Sequence, residues 1–115
     1  MVHKMKLMSG PYKMIADGRK TIELRLYDDK RRKLHIGDKI VFTCFEAPKE
    51  RLTVTVRQLH IFRSFAELYQ NLPLNKCGYS DEEIADATPD DMNLYYDPKE
   101  QQKYGVVGIE LERIQ

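Results

Sequence analysis

The chain has 115 residues, 42% of them hydrophobic, and its 19 Lys/Arg nearly balance 18 Asp/Glu. That length suits one compact domain over residues 1–115, with a modest core. No run approaches the roughly 20 apolar residues a membrane helix needs, and Met1-Val2-His3-Lys4-Met5-Lys6 lacks the apolar block of a secretory signal. Cys44 and Cys77 stand far apart, and His3, His35 and His60 have no ligand spacing. A cytoplasmic protein without metal or cofactor is therefore expected. The charge is unevenly spread. Residues 1–63 hold 15 Lys/Arg against 7 Asp/Glu, and residues 64–115 hold 4 against 11. A basic face for polyanions beside an acidic one would produce this pattern; so would two solvated halves.

In chain order, Lys4 to Met8 reads as a short strand. Ser9 offers an N-cap, Pro11 a first-turn residue and Gly18 a stop, which predicts a helix over about 11–17. A strand over 20–27 follows, then a charged loop over 28–33 containing Lys30-Arg31-Arg32-Lys33. Gly37-Asp38 turns the chain into a β-rich run from Lys39 to Phe45, and Ala47-Pro48-Lys49-Glu50 turns it again. From Arg51 to Ile61, Leu52, Val54 and Val56 alternate with Thr53, Thr55 and Arg57, which marks a strand. Ser64-x-x-Glu67 and Ser80-x-x-Glu83 have the capping-box form, and helix starts also stand at Thr88-Pro89 and Asp97-Pro98. Val106 to Ile114 closes the chain as a strand, with Val107, Ile109 and Leu111 inward and Glu110 and Glu112 outward. The order β-α-β-β-β-α-α-β with short central links predicts an α+β fold, a small and mostly antiparallel β-barrel with flanking helices.

The chemistry concentrates in Gly18-x-Lys20-x-x-Glu23-x-Arg25. Strand alternation sends Ile22, Leu24 and Leu26 to one face and Thr21, Glu23 and Arg25 to the other, with Lys20 at the bend. The result is a carboxylate between two cations. Lys20 could hold a phosphate or carbonyl oxygen or, if desolvated, act as base or nucleophile; it could equally be a solvated strand-start lysine. Glu23 could accept from an exocyclic amine or, with a raised pKa, transfer protons, or merely pair with Arg25. Arg25 could clamp an anion, stack on a base, or orient Glu23. Gly18 reads first as a left-handed helix stop whose amide could lie beside a cleft. Thr21 could add a hydroxyl, though threonine is also simply a good strand former. Among Tyr12, Tyr95, Tyr96 and Tyr104, Tyr104 is the candidate for a base-stacking contact, against the alternative of a half-buried rim residue. No P-loop, dinucleotide motif, Ser-His-Asp set or metal-ligand spacing is present.

This signature, with Leu34-x-x-Gly37-Asp38 and the closing Tyr104-Gly105-Val106-Val107, resembles the ASCH family, whose fold is similar to the PUA domain of RNA-modifying proteins. The resemblance covers nearly the whole chain. It implies a PUA-like barrel with a cleft lined by the signature residues, binding RNA or a nucleotide-like small molecule. Gly18, Lys20, Thr21, Glu23, Arg25 and Tyr104 would be the ligand-binding residues. The alternative it implies is a small hydrolase acting on RNA or a modified nucleoside, with Lys20 and Glu23 catalytic. Some small bacterial relatives are N(4)-acetylcytidine amidohydrolases, with a Lys, a Thr three residues on and a downstream Glu. Here Lys20 matches, but Glu23 stands at the threonine position.

Overall fold

The computed structural model describes residues 1–114. Its strands are β1 (Val2–Leu7), β2 (Ile22–Leu26), β3 (Lys39–Cys44), β4 (Arg51–Phe62) and β5 (Val106–Arg113). They form one sheet in the order β1-β3-β4-β5-β2, curled into a half-barrel. The β1–β3 ladder is parallel, and the β3–β4, β4–β5 and β2–β5 ladders are antiparallel. Four helices flank the sheet: α1 (Ser9–Ala16), α2 (Phe65–Asn71), α3 (Asp81–Asp86) and α4 (Pro98–Tyr104), with 3₁₀ turns at Arg31–Lys33, Leu74–Lys76 and Pro89–Leu94. This is the α+β, PUA-like architecture expected from the sequence.

Two apolar clusters organise the fold. The first fills the inside of the half-barrel, where Met5, Ile40, Phe42, Val54, Val107 and Ile109 meet Tyr12 and Ile15 of α1. The second lies on the outer side of β2, where Ile22, Leu24 and Leu26 pack against Phe65, Leu68 and Met92. Strand β2 is thus covered on both faces. Glu23 is paired with Ile109 and Arg25 with Val107, so these two polar residues share the inner face with first-cluster side chains. Alternation correctly separates the two faces of β2, but it is the hydrophilic face that enters the barrel.

Local signals explain most boundaries. The Ser64 side chain accepts from the Glu67 amide, and Ser80 with Glu83 makes a full capping box. The α1 start differs from expectation. Met8 is the cap residue, Ser9 lies inside the helix, and no side chain caps it. The helix opens without Ser9 because Leu7 and Met8 run straight from β1, and the Met8 carbonyl already accepts from the Tyr12 amide. At the other end Gly18 adopts φ +86°, and the Lys20 amide donates to Met14 O at 3.0 Å. The chain thus folds back over the α1 terminus and delivers Lys20 to the start of β2.

Strands β1 and β2 are the sheet edges and do not pair. Side chains close the seam instead: Arg25 Nη2 donates to Lys6 O at 3.0 Å and Lys30 Nζ to Lys4 O at 2.7 Å. Among the described residues, no helix is long and apolar enough to cross a membrane.

Candidate functional site

Glu23 sits at the floor of a cleft beside that seam, with only 4% of its surface exposed. Its Oε1 lies 2.8 Å from Lys20 Nζ, and its Oε2 accepts from Arg25 Nη2 at 2.8 Å and Nε at 3.1 Å. Burial alone would raise the Glu23 pKa, but Lys20 and Arg25 outweigh it and hold the carboxyl below its ordinary range. For Arg25, burial opposes the charge and Glu23 more than restores it, so its pKa is raised. The sequence left open a raised Glu23 pKa suited to proton transfer. The two cations pull it the opposite way, because both reach it directly.

The arrangement still has hydrogen-bonding capacity. A carboxylate offers about four lone-pair sites and an ammonium three donors. Glu23 uses three of its sites and Lys20 one of its donors on each other and on Arg25. The floor therefore presents an acceptor and donors side by side. Gly78 makes room for this: at φ +104°, a Cβ there would stand 3.3 Å from Lys20 Cδ. Any side chain at 78 would press on the lysine stem.

The cleft encloses about 640 Å³. Lys6, Lys20 and Arg25 line it against Glu23, Glu83 and Asp91, so its charges balance. Its rim is apolar and open. Met8 is 56% exposed, Phe45 56%, Leu94 85% and Tyr95 71%, and all four line the cleft. Lys6 Nζ lies 5.7 Å from the Phe45 ring centre. Tyr96, stacked on Phe65 at 6.0 Å, forms part of the wall and donates to Leu24 O at 3.4 Å. Tyr79 donates to Asp91 at 3.3 Å and shares a hydrogen bond with Tyr69, and burial raises its pKa. That chain ties α2 to the 3₁₀ turn carrying the rim. Cys77 is buried in the same wall, and desolvation pushes its thiol up to about 11. Among the described residues, no group of three or more His, Cys, Asp or Glu is placed to hold a metal ion.

Of the six residues singled out in the sequence, Lys20, Glu23 and Arg25 converge in the cleft. The other three do not line it. Gly18 is exposed with open space around it. Thr21 spends its backbone on Lys76 O and the Leu111 amide. Tyr104 lines a different recess, because Gly105 ends α4 beyond the far end of β2, where the Tyr27 amide donates to Gly105 O. The stacking candidates at the cleft are instead Phe45, Tyr95 and Tyr96. Tyr95 and Tyr96 belong to the tyrosine set visible in the sequence, from which nothing local selects them over Tyr104. Phe45, a large apolar residue after a strand end, carries a signal too common to single out.

Comparison with known proteins agrees with this fold. The sequence matches the ASCH domain over residues 5–115, and the chain belongs to that family. The hypothetical protein PH0355 has a similar crystal structure, with TM-score 0.81 and 34% identity over 99% of this chain and 100% of that one. Protein PF0455 from Pyrococcus furiosus, solved by NMR, has TM-score 0.73 and 33% identity over 100% of this chain and 99% of that one. ASCH from Zymomonas mobilis shares the fold at TM-score 0.61 with 14% identity, over 99% of this chain and 71% of that one. No curated protein is significantly similar to the chain.

Proposed function

We propose that the cleft binds one nucleobase of an RNA strand or of a nucleoside-like ligand, between the apolar rim and the Lys20–Glu23–Arg25 floor. The observation that carries this reading is the pairing of an exposed aromatic rim with a buried donor-and-acceptor floor. Every base has a π-face for the rim, and a base edge that sets a donor beside an acceptor complements Glu23 and Lys20. RNA binding is also the general expectation for ASCH domains. The balanced charge of the cleft favours a base over a phosphate as its occupant.

A hydrolytic role would require Glu23 to exchange a proton near neutral pH, and its two cations hold it ionised. The binding reading is therefore preferred. Titration of the four ribonucleosides by calorimetry tests it. Saturable binding with little salt dependence is expected, abolished by Lys20→Ala. Equal affinity in wild type and variant, or no nucleoside binding at all, would overturn it.

A further inference from the structure

We infer that a second recess, lined by Tyr27, Arg32, Arg63, Lys103 and Tyr104, is a phosphate subsite for an RNA strand whose neighbouring base occupies the cleft. This rests on the nucleobase reading and extends it from one unit to a strand. The recess has a volume of about 870 Å³, and its charge differs from that of the cleft. Arg32, Arg63 and Lys103 face a single carboxylate, Glu67. Among the described residues none of the three cations is ion-paired, whereas Lys20 and Arg25 are both engaged by Glu23. Free cations are what a polyanion neutralises.

The recess is also pre-shaped. Arg32 lies 4.4 Å over the Tyr27 ring centre and donates from Nη2 to Tyr104 O at 3.1 Å, which fixes its planar head and leaves other N–H groups free. Lys103 Nζ lies 5.0 Å from the Tyr104 ring centre. Two cations are thus mounted on aromatic faces, beside the exposed Arg63.

The two depressions are neighbours. Tyr27 follows Arg25 by two residues and so lies on the same face, roughly 6.6 Å further on. Tyr96 lines the cleft, Gln101 lines the recess, and Gln101 Nε2 donates to Tyr96 O at 2.8 Å, so one thin wall separates them. The basic loop is fastened at two points, with Lys30 donating to Lys4 O and Arg32 to Tyr104 O. A strand leaving the cleft past Arg25 and Tyr27 would meet Arg32, Arg63 and Lys103 in the recess.

The test compares uridine with a short oligouridylate, in wild type, in Lys20→Ala and in the double variant Arg63→Gln/Lys103→Gln. Both glutamine substitutions fall on exposed side chains, so folding is preserved. The double variant is expected to bind uridine as the wild type does. Its oligouridylate affinity should fall, and the slope of log K against log salt should become shallower by about 1.4, at about 0.7 for each lost contact. An unchanged slope and affinity in the double variant, with binding still lost in Lys20→Ala, would overturn the recess and leave the cleft reading standing. Oligouridylate binding lost in the double variant but untouched by Lys20→Ala would overturn the cleft and retain the recess as a phosphate site. A wild type that binds none of the four ribonucleosides and no oligouridylate would overturn both.

Discussion

Glu23 is the residue whose removal should be felt most. A buried carboxylate held by two cations contributes less by being present than it costs by being absent, because Lys20 and Arg25 would be left facing each other with little water to screen them. Glu23→Ala is expected to lose about 3–5 kcal/mol in urea unfolding at neutral pH, the usual cost of breaking a buried ion pair from one side. The pH dependence follows from the lowered Glu23 pKa. Its stabilising contribution is complete above the ordinary glutamate value and is lost as the pH falls through the lower folded-state value. Asp38, held at about 2 chiefly by its hydrogen bond from His3, adds a loss of the same sign. Glu23→Gln should therefore unfold with a flatter stability profile than wild type between neutral and acid pH. Parallel profiles would show that Glu23 is not clamped. The sequence displayed the acid and its two cations, and strand alternation placed Glu23 and Arg25 together. It did not display Gly78, far along the chain, because a glycine's lack of a side chain gains meaning only where the Lys20 stem crosses it.

At the scale of elements, β2 is the instructive case. Its alternation was legible, yet nothing local says which face turns into a barrel. The answer depends on the helical second half: Phe65, Leu68 and Met92 supply a second apolar cluster and claim Ile22, Leu24 and Leu26. The Ser64 cap that opens α2 and the capping box that opens α3 were readable because each is closed within four residues. The parallel pairing of β1 with β3 was not, since it spans the whole of α1 and β2. That second cluster also anchors the rim, with Phe65 stacked on Tyr96. Phe65→Ala should cost about 3–5 kcal/mol, as large-to-small changes of buried phenylalanine do. It should also weaken nucleoside binding under conditions where the protein remains folded, through loosening of Tyr96. Calorimetric titration below the unfolding transition checks this, and unimpaired affinity would mean that the rim is held by something other than the second cluster.

Across the whole molecule, the uneven charge acquires a location. The basic half supplies Lys6, Lys20 and Arg25 to the cleft, and the acidic half supplies Glu83 and Asp91 from the opposite wall. The two halves meet at the open seam of the sheet, which Arg25 itself helps to close through Lys6 O. Arg25 thus both helps to close the seam and lines the cleft. Composition announced two unlike halves without revealing that they face each other, and tyrosine counting pointed to Tyr104, which belongs to the neighbouring recess.

The most direct measurement is amide-resolved NMR of the protein during titration with a ribonucleoside. Shift changes are expected at residues 23–25, 77–79 and 94–96, three stretches distant in sequence that converge only in the cleft. Changes scattered over the outer surface with these amides unmoved, or a spectrum indifferent to every nucleoside, would contradict the assignment of that cleft.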